Sequence, residues 1–171
     1  MPKFKVYNGP APSSAQQLAV TSGTSIKTML QLATPSTKSI IINAWGITHD
    51  GHASCTSASA ELIVVEDAAT VTAFTTASVN DITRFQPNDD ETLMTLGTTG
   101  SGYTSSSENT GSISTSDVLD SVYLVPTTAD RHIMQWPLGE APIVAASRFV
   151  RIRVTMAGNA TNVRCWLEWT E

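Results

Sequence analysis

The chain has 171 residues, a length suited to one domain with its own core and short for two. Hydrophobic residues make up 41%, charged residues only 15%, and about a quarter of the chain is serine or threonine, which excludes an acidic disordered chain and a long charged helix or coiled coil. The formal charge of −5 argues against a surface that grips nucleic-acid phosphates throughout, so no nucleic-acid partner is expected.

The first dozen residues carry Pro2, Pro10, Pro12 and Gly9, and residues 1–16 read either as an extended arm lying on a neighbouring subunit or as a frayed terminus. No apolar stretch follows Lys3 and Lys5, so an unexported, cytosolically made chain is expected. From residue 17 onward, runs rich in Thr, Val and Ile alternate with Gly, Pro, Asn and Asp clusters, because branching at Cβ favours extended backbone. Strands are predicted over Leu18 to Ser22, Ile26 to Ala33, Ser39 to Thr48 and Ala60 to Glu66. The segment Ala68 to Asp81 reads as a strand through Val71 and Phe74 or, preferably, as a short helix or turn. Gly97 to Gly111 has almost no aliphatic side chains and predicts an exposed loop with little to add to a core. Further strands follow at Val118 to Val125, His132 to Trp136, Arg148 to Met156 and Asn162 to Thr170. About eight strands and no capped amphipathic helix predict a single-domain, all-β antiparallel sandwich, jelly-roll-like, over residues 17–171. The longest apolar runs, such as Ile40 to Ile42 and Ile143 to Ala146, are far shorter than a membrane-spanning helix, and no membrane partner is expected.

The last two strands predict a hairpin. Val150, Ile152, Val154 and Met156 form one apolar face, and Val163, Cys165, Leu167 and Trp169 another. Matching these faces side by side needs a one-residue offset, which Ala157-Gly158-Asn159-Ala160 would supply as a bulge. Arg151 and Arg153 would then face Trp166 and Glu168 on the outer side, an arrangement that serves a solvated sheet face or a protein interface. Trp45 and Trp169 take core parity, whereas Trp136 and Trp166 are placed at an edge or a subunit contact.

Chemistry-bearing patterns are sparse. His49, His52 and Cys55 have the types and spacing of a weak zinc site, although Asp50-Gly51 is equally a turn dipeptide. No metal or cofactor is assigned. No Gly-x-Ser-x-Gly elbow is present, Gly97, Gly100 and Gly102 lack the strand and helix of a phosphate cradle, and Asp89-Asp90-Glu91 reads as a solvated turn. No catalysis is expected. Cys55 and Cys165 are predicted to be free thiols.

Across most of its length the chain resembles a group of small virion proteins of tailed bacteriophages, especially actinophages, taken to be capsid decoration or cement proteins. The resemblance rests on Thr24 to Leu32, Ser39 to Gly46, Ala60 to Ile63, Ser147 to Val154 and Arg164 to Trp169. It implies a β-sandwich that oligomerises, as a trimer, and binds the outer surface of the head lattice after assembly in the bacterial cytoplasm. On that basis the contact with the major capsid protein is assigned to the arm, through Pro2, Lys3, Phe4, Lys5, Tyr7, Pro10 and Pro12, and the subunit interface to Arg151, Arg153, Trp166 and Trp136. A tail or collar protein and a carbohydrate-binding sandwich, stacking sugars on Tyr103, Trp136 or Trp166, are the alternatives.

Overall fold

The computed structural model describes residues 1–10, 20–66, 71–72, 79–97, 100–105, 107–108 and 116–171. Its strands are β1 (Lys3–Tyr7), β2 (Val20–Thr21), β3 (Lys27–Ala33), β4 (Ile40–His49), β5 (Ser57–Val65), β6 (Val71–Thr72), β7 (Thr83–Arg84), β8 (Gly102–Tyr103), β9 (Ser107–Glu108), β10 (Ser116–Leu124), β11 (Asp130–Gln135), β12 (Ile143–Val144), β13 (Phe149–Ala157) and β14 (Asn162–Thr170). One sheet runs β11-β4-β14-β1-β7, with β12 beside β4 and β2 beside β14; the other runs β10-β5-β13-β3-β8. All their pairings are antiparallel. This is an all-β sandwich, as the alternation predicts, although the sheet orders alone do not define a jelly roll.

Between the sheets lie Phe4, Val6, Leu30, Leu32, Ile42, Trp45, Ile47, Leu62, Ile152, Val154, Leu167 and Trp169, all buried. Alternation along each strand puts these on one face, and burying two such faces against each other removes both from water. Trp45 and Trp169 are fully buried, as their parity predicts. Cys55 and Cys165 are free and buried, and burial alone pushes the Cys165 thiol pKa up.

Three expectations are corrected. First, residues 3–7 are not an arm. β1 lies between β14 and β7, and Phe4 and Val6 are fully buried, with Phe4 stacked on Trp169 at 5.7 Å. Asn8, 1% exposed, fixes the end of the strand. Its amide donates to the Val163 carbonyl at 3.2 Å and its side-chain oxygen accepts from the Cys165 N–H at 2.9 Å. Pro12 lies outside the described residues.

Second, β13 and β14 are not a hairpin. β13 pairs with β3 and β5 in one sheet, and β14 with β4 and β1 in the other. The two apolar faces meet across the core instead of side by side, so no register offset is needed. Gly158, at φ +93, turns the chain between the sheets, and a Cβ there would lie 2.5 Å from the Ser54 carbonyl oxygen. Arg151 and Arg153 therefore do not face Trp166 and Glu168.

Third, within the Gly97 to Gly111 loop, Gly97 is exposed as expected but residues 101–105 are not. Ser101, Tyr103 and Ser105 are buried, and β8 pairs with Leu30 and Gln31 at the edge of β3. Thr104 and Ser105 extend the attachment by donating their N–H groups to the Met29 and Thr28 carbonyls at 3.2 and 3.0 Å. Small hydroxyl side chains suit such a strap because they bond to a neighbouring backbone without needing apolar volume. In the Ala68 to Asp81 segment, Val71–Thr72 pairs with β9 and Val79–Asp81 forms a 3-10 turn; the intervening residues lie outside the described set.

Candidate functional site

The outward face of the seven-stranded sheet gathers most of the residues that the sequence singles out. Cross-strand partners in an antiparallel sheet share a face. The pairs Tyr7 with Trp166, Lys5 with Glu168, and Lys3 with Thr170 therefore lie outward, opposite the buried Phe4, Val6, Leu167 and Trp169. On the other side of β14, Trp166 pairs with Gly46, and Gly46 pairs with Ile133 of β11.

Gly46 makes this row possible. A Cβ there would stand 2.7 to 2.8 Å from three atoms of the Trp166 indole, so the ring lies against bare backbone. The Lys5 ammonium sits 4.1 Å from the centroid of that ring and 5.1 Å from that of Tyr7, and it pairs with Glu168 at 2.9 Å. Burial opposes the charge on Lys5, but hydrogen bonds to Glu168 and Tyr7 and the negative charge of the Glu168 carboxylate outweigh it, so the pKa is raised. The result is a preorganised aromatic and ionic cluster on a half-buried sheet face.

Towards one end of the same face a groove of 530 Å3 opens, lined by Met1, Lys3, Ile41, Asn43, Trp136 and Leu138 among others. Met1, Leu138 and Ile143 on its rim are 84%, 105% and 70% exposed. Apolar side chains left this open and this close together mark a contact surface more often than isolated exposed ones do. Asn43 reaches across the floor to donate to Thr170 Oγ1 at 2.6 Å.

Thus Lys3, Lys5, Tyr7 and Trp166 share one face, Trp136 packs against the core while lining the groove at the sheet edge, Pro2 and Pro10 flank β1, and Phe4 is core. Arg153 is on the other sheet, paired with Glu61 at 2.7 Å. Arg151 is fully buried there and cannot form a subunit contact. Of the three candidate sugar-stacking rings, Tyr103 is 3% exposed and Trp166 is capped by Lys5, which leaves Trp136 at the groove. Burial first, and then Asp81, pushes the Tyr103 pKa up to about 12.

His49, His52 and Cys55 are engaged locally and separately. Nδ1 of His49 accepts from the Gly51 N–H and Nδ1 of His52 from the Ser54 N–H, each at 3.1 Å, while the Cys55 thiol donates to the Asn159 carbonyl at 3.0 Å. Among the described residues no group of three His, Cys, Asp or Glu side chains could hold a metal ion.

Asp120 and His132 form a pair that the sequence does not announce. A bulge in β10 between Val118 and Asp120 carries Asp120 to the rim of the core. One carboxylate oxygen there accepts from Trp45 Nε1 and bonds His132 Nε2, both at 2.9 Å. An Asp–His pair can orient an imidazole for proton transfer, but among the described residues no hydroxyl or thiol bonds to His132, so no nucleophile completes it.

The fold is an antiparallel β-sandwich whose first sheet carries, on its outward face, a preorganised aromatic and ionic cluster beside an apolar groove. Compared with known proteins, the chain matches no family model, no curated protein and no solved structure.

Proposed function

We propose that the chain is a bacteriophage virion structural protein, a capsid decoration protein. In this reading it binds the outer surface of the head lattice through the outward face of its seven-stranded sheet. The observation that carries the reading is the convergence on that face of Lys5, Tyr7 and Trp166 with the exposed apolar groove around Leu138 and Ile143. Tryptophan, tyrosine and methionine are enriched where proteins meet. The resemblance to actinophage decoration proteins supplies the partner, the major capsid protein, and the trimeric state.

The function so proposed is mechanical and needs no reaction centre. Many copies, each adding a modest contact across neighbouring capsid subunits, act together to oppose expansion of the shell by packaged DNA. Lattice contact passes from the arm to the outward side chains of β1, namely Lys3, Lys5 and Tyr7, because the strand itself is locked into the sheet. Quantitative protein composition of purified virions carrying this chain tests the proposal. A molar ratio to major capsid protein of order one, with Trp166→Ala lowering occupancy, is the expected result. A handful of copies would assign the chain to the tail or collar, and its absence would overturn the virion reading.

A further inference from the structure

The outward face of the second sheet holds a different kind of site. By strand alternation Gln31 of β3, Arg151 of β13 and Ile63 of β5 point away from the core, and they pair in register. All three are nevertheless fully buried. Residues 102–105 extend the sheet beside β3, and Gly100 and Glu108 of the same strap bond to Gln31 and Arg151. Gln31 accepts from Arg151 Nε and donates to the Gly100 carbonyl at 2.8 Å, which fixes the guanidinium in one orientation.

Into this pit the strap delivers one charged group. One Glu108 carboxylate oxygen accepts from the Thr28 N–H at 2.9 Å and the Thr28 hydroxyl at 2.7 Å, and the other faces Arg151 Nη1 at 3.2 Å. The Glu108 side chain is 4% exposed. Thus a backbone amide, a hydroxyl and a guanidinium, each donating, converge on a single carboxylate, which is the donor set by which proteins recognise carboxylates as ligands. Burial draws the Arg151 pKa down to about 10, with Glu108 opposing the fall, and the guanidinium stays charged at neutral pH.

The attachment of Glu108 is modular. β9 pairs with β6 in a separate two-stranded ribbon, which has little stability of its own. Residues 102–105, in contrast, are held to β3 by their own main-chain bonds. Removing the Glu108 side chain therefore leaves the walls of the pit standing.

We propose that Thr28 and Arg151 form a carboxylate-binding site, for which Glu108 is the resident internal ligand, and that the ribbon docks by a ligand-like contact at this site. The site takes an acidic side chain, or a small free carboxylate where the internal one is missing.

Glu108→Ala deletes a CH2–COO− fragment, and acetate is that fragment as a free ion. Acetate is expected to raise the thermal midpoint of E108A, by about 3–6 °C at ten times its Kd and logarithmically with concentration beyond it. Acetamide, of the same size but carrying its own N–H donors, is expected to do nothing. Adding Arg151→Met to E108A should abolish the response. If E108A does not fold alone, acetate should restore its β-sheet circular dichroism, and it should not do so in the double variant. Equal responses to acetate and acetamide, an acetate response that survives Arg151→Met, or no response of either kind would overturn the assignment.

Discussion

Whether residues 3–7 are a strand or an arm is decided most directly by Phe4→Ala. The Phe4 ring is fully buried and stacked on Trp169 at 5.7 Å, and its backbone is paired on both sides, to Trp169 and to Arg84. Truncating a ring in such a position costs about 3–5 kcal/mol, the lost transfer energy plus the cavity left behind. In a domain whose whole stability is of order 5–15 kcal/mol, and at about 2–4 °C per kcal/mol for this size, the thermal midpoint should fall by about 6–20 °C. Circular dichroism melts at matched concentration read the shift, with Lys3→Ala as the exposed control on the same strand, expected within about 0.5 kcal/mol of the parent. A fall of less than about 3 °C for Phe4→Ala would refute the packing argument and return the segment to an arm. The same reasoning makes deletion of residues 2–12 a poor test of capsid binding, because it removes a strand from the sheet together with any contact surface.

Gly46→Ala should cost about 1–3 kcal/mol as the new methyl drives the Trp166 ring off its seat, read as a lower urea midpoint. In a Trp166→Ala background the same change should be nearly neutral, and an equal cost in both backgrounds would show that the ring is not what the methyl meets. Acid should also loosen the fold through His49. Burial holds its pKa below the ordinary 6.5, with Asp130 and Asp50 pulling the other way, and Nε2 is buried without a partner. The unfolded chain therefore binds the proton first as pH falls below 6.5, so this contribution is complete above that value and declines as pH drops towards the folded pKa. Urea midpoints should decline over that window in the parent and less steeply in His49→Asn, which keeps an acceptor for the Gly51 N–H; parallel profiles would remove His49 from the account.

The sequence made most of the sandwich legible because strand alternation is a local signal. The predicted Asn162 to Thr170 agrees with β14, and Ile26 to Ala33, Ser39 to Thr48 and Arg148 to Met156 fall within a residue of β3, β4 and β13 at each end. What alternation leaves open is which strands lie side by side. Val154 and Leu167 point into the same core whether β13 and β14 are neighbours in one sheet or face each other across two, and only the long-range pairings decide. β1 was hidden by its flanks: the prolines suggested an arm, although Lys3, Phe4, Lys5, Val6 and Tyr7 alternate in the period of a strand. The strap was hidden by composition, because Gly102, Tyr103, Thr104 and Ser105 attach through backbone and hydroxyl bonds that no hydrophobic pattern reports. Arg151 was hidden for the related reason that outward parity means exposure only when nothing covers the sheet.

That covering gives the two outer faces different capacities. On the second sheet, Gln31, Arg151 and Ile63 are buried, Arg151 is paired with Glu108, and Arg153 is already paired with Glu61. A partner docking over Gln31 and Arg151 would first have to break the buried Arg151–Glu108 ion pair, at a cost of about 3–5 kcal/mol. On the first sheet no such displacement is required. Lys5, Tyr7 and Trp166 are held in place by Gly46 and Glu168 while still half-open, and Leu138 and Ile143 stand in solvent beside an open groove. Side chains ordered before contact lose little entropy on contact, and exposed apolar ones gain from burial. In the proposed role, association through the first sheet is therefore less costly than through the Gln31 and Arg151 side of the second. A surface scan should find binding-defective variants clustered on β1, β11, β14 and the Pro137 to Ala141 turn, with outward substitutions on β5 and β13 acting through stability alone.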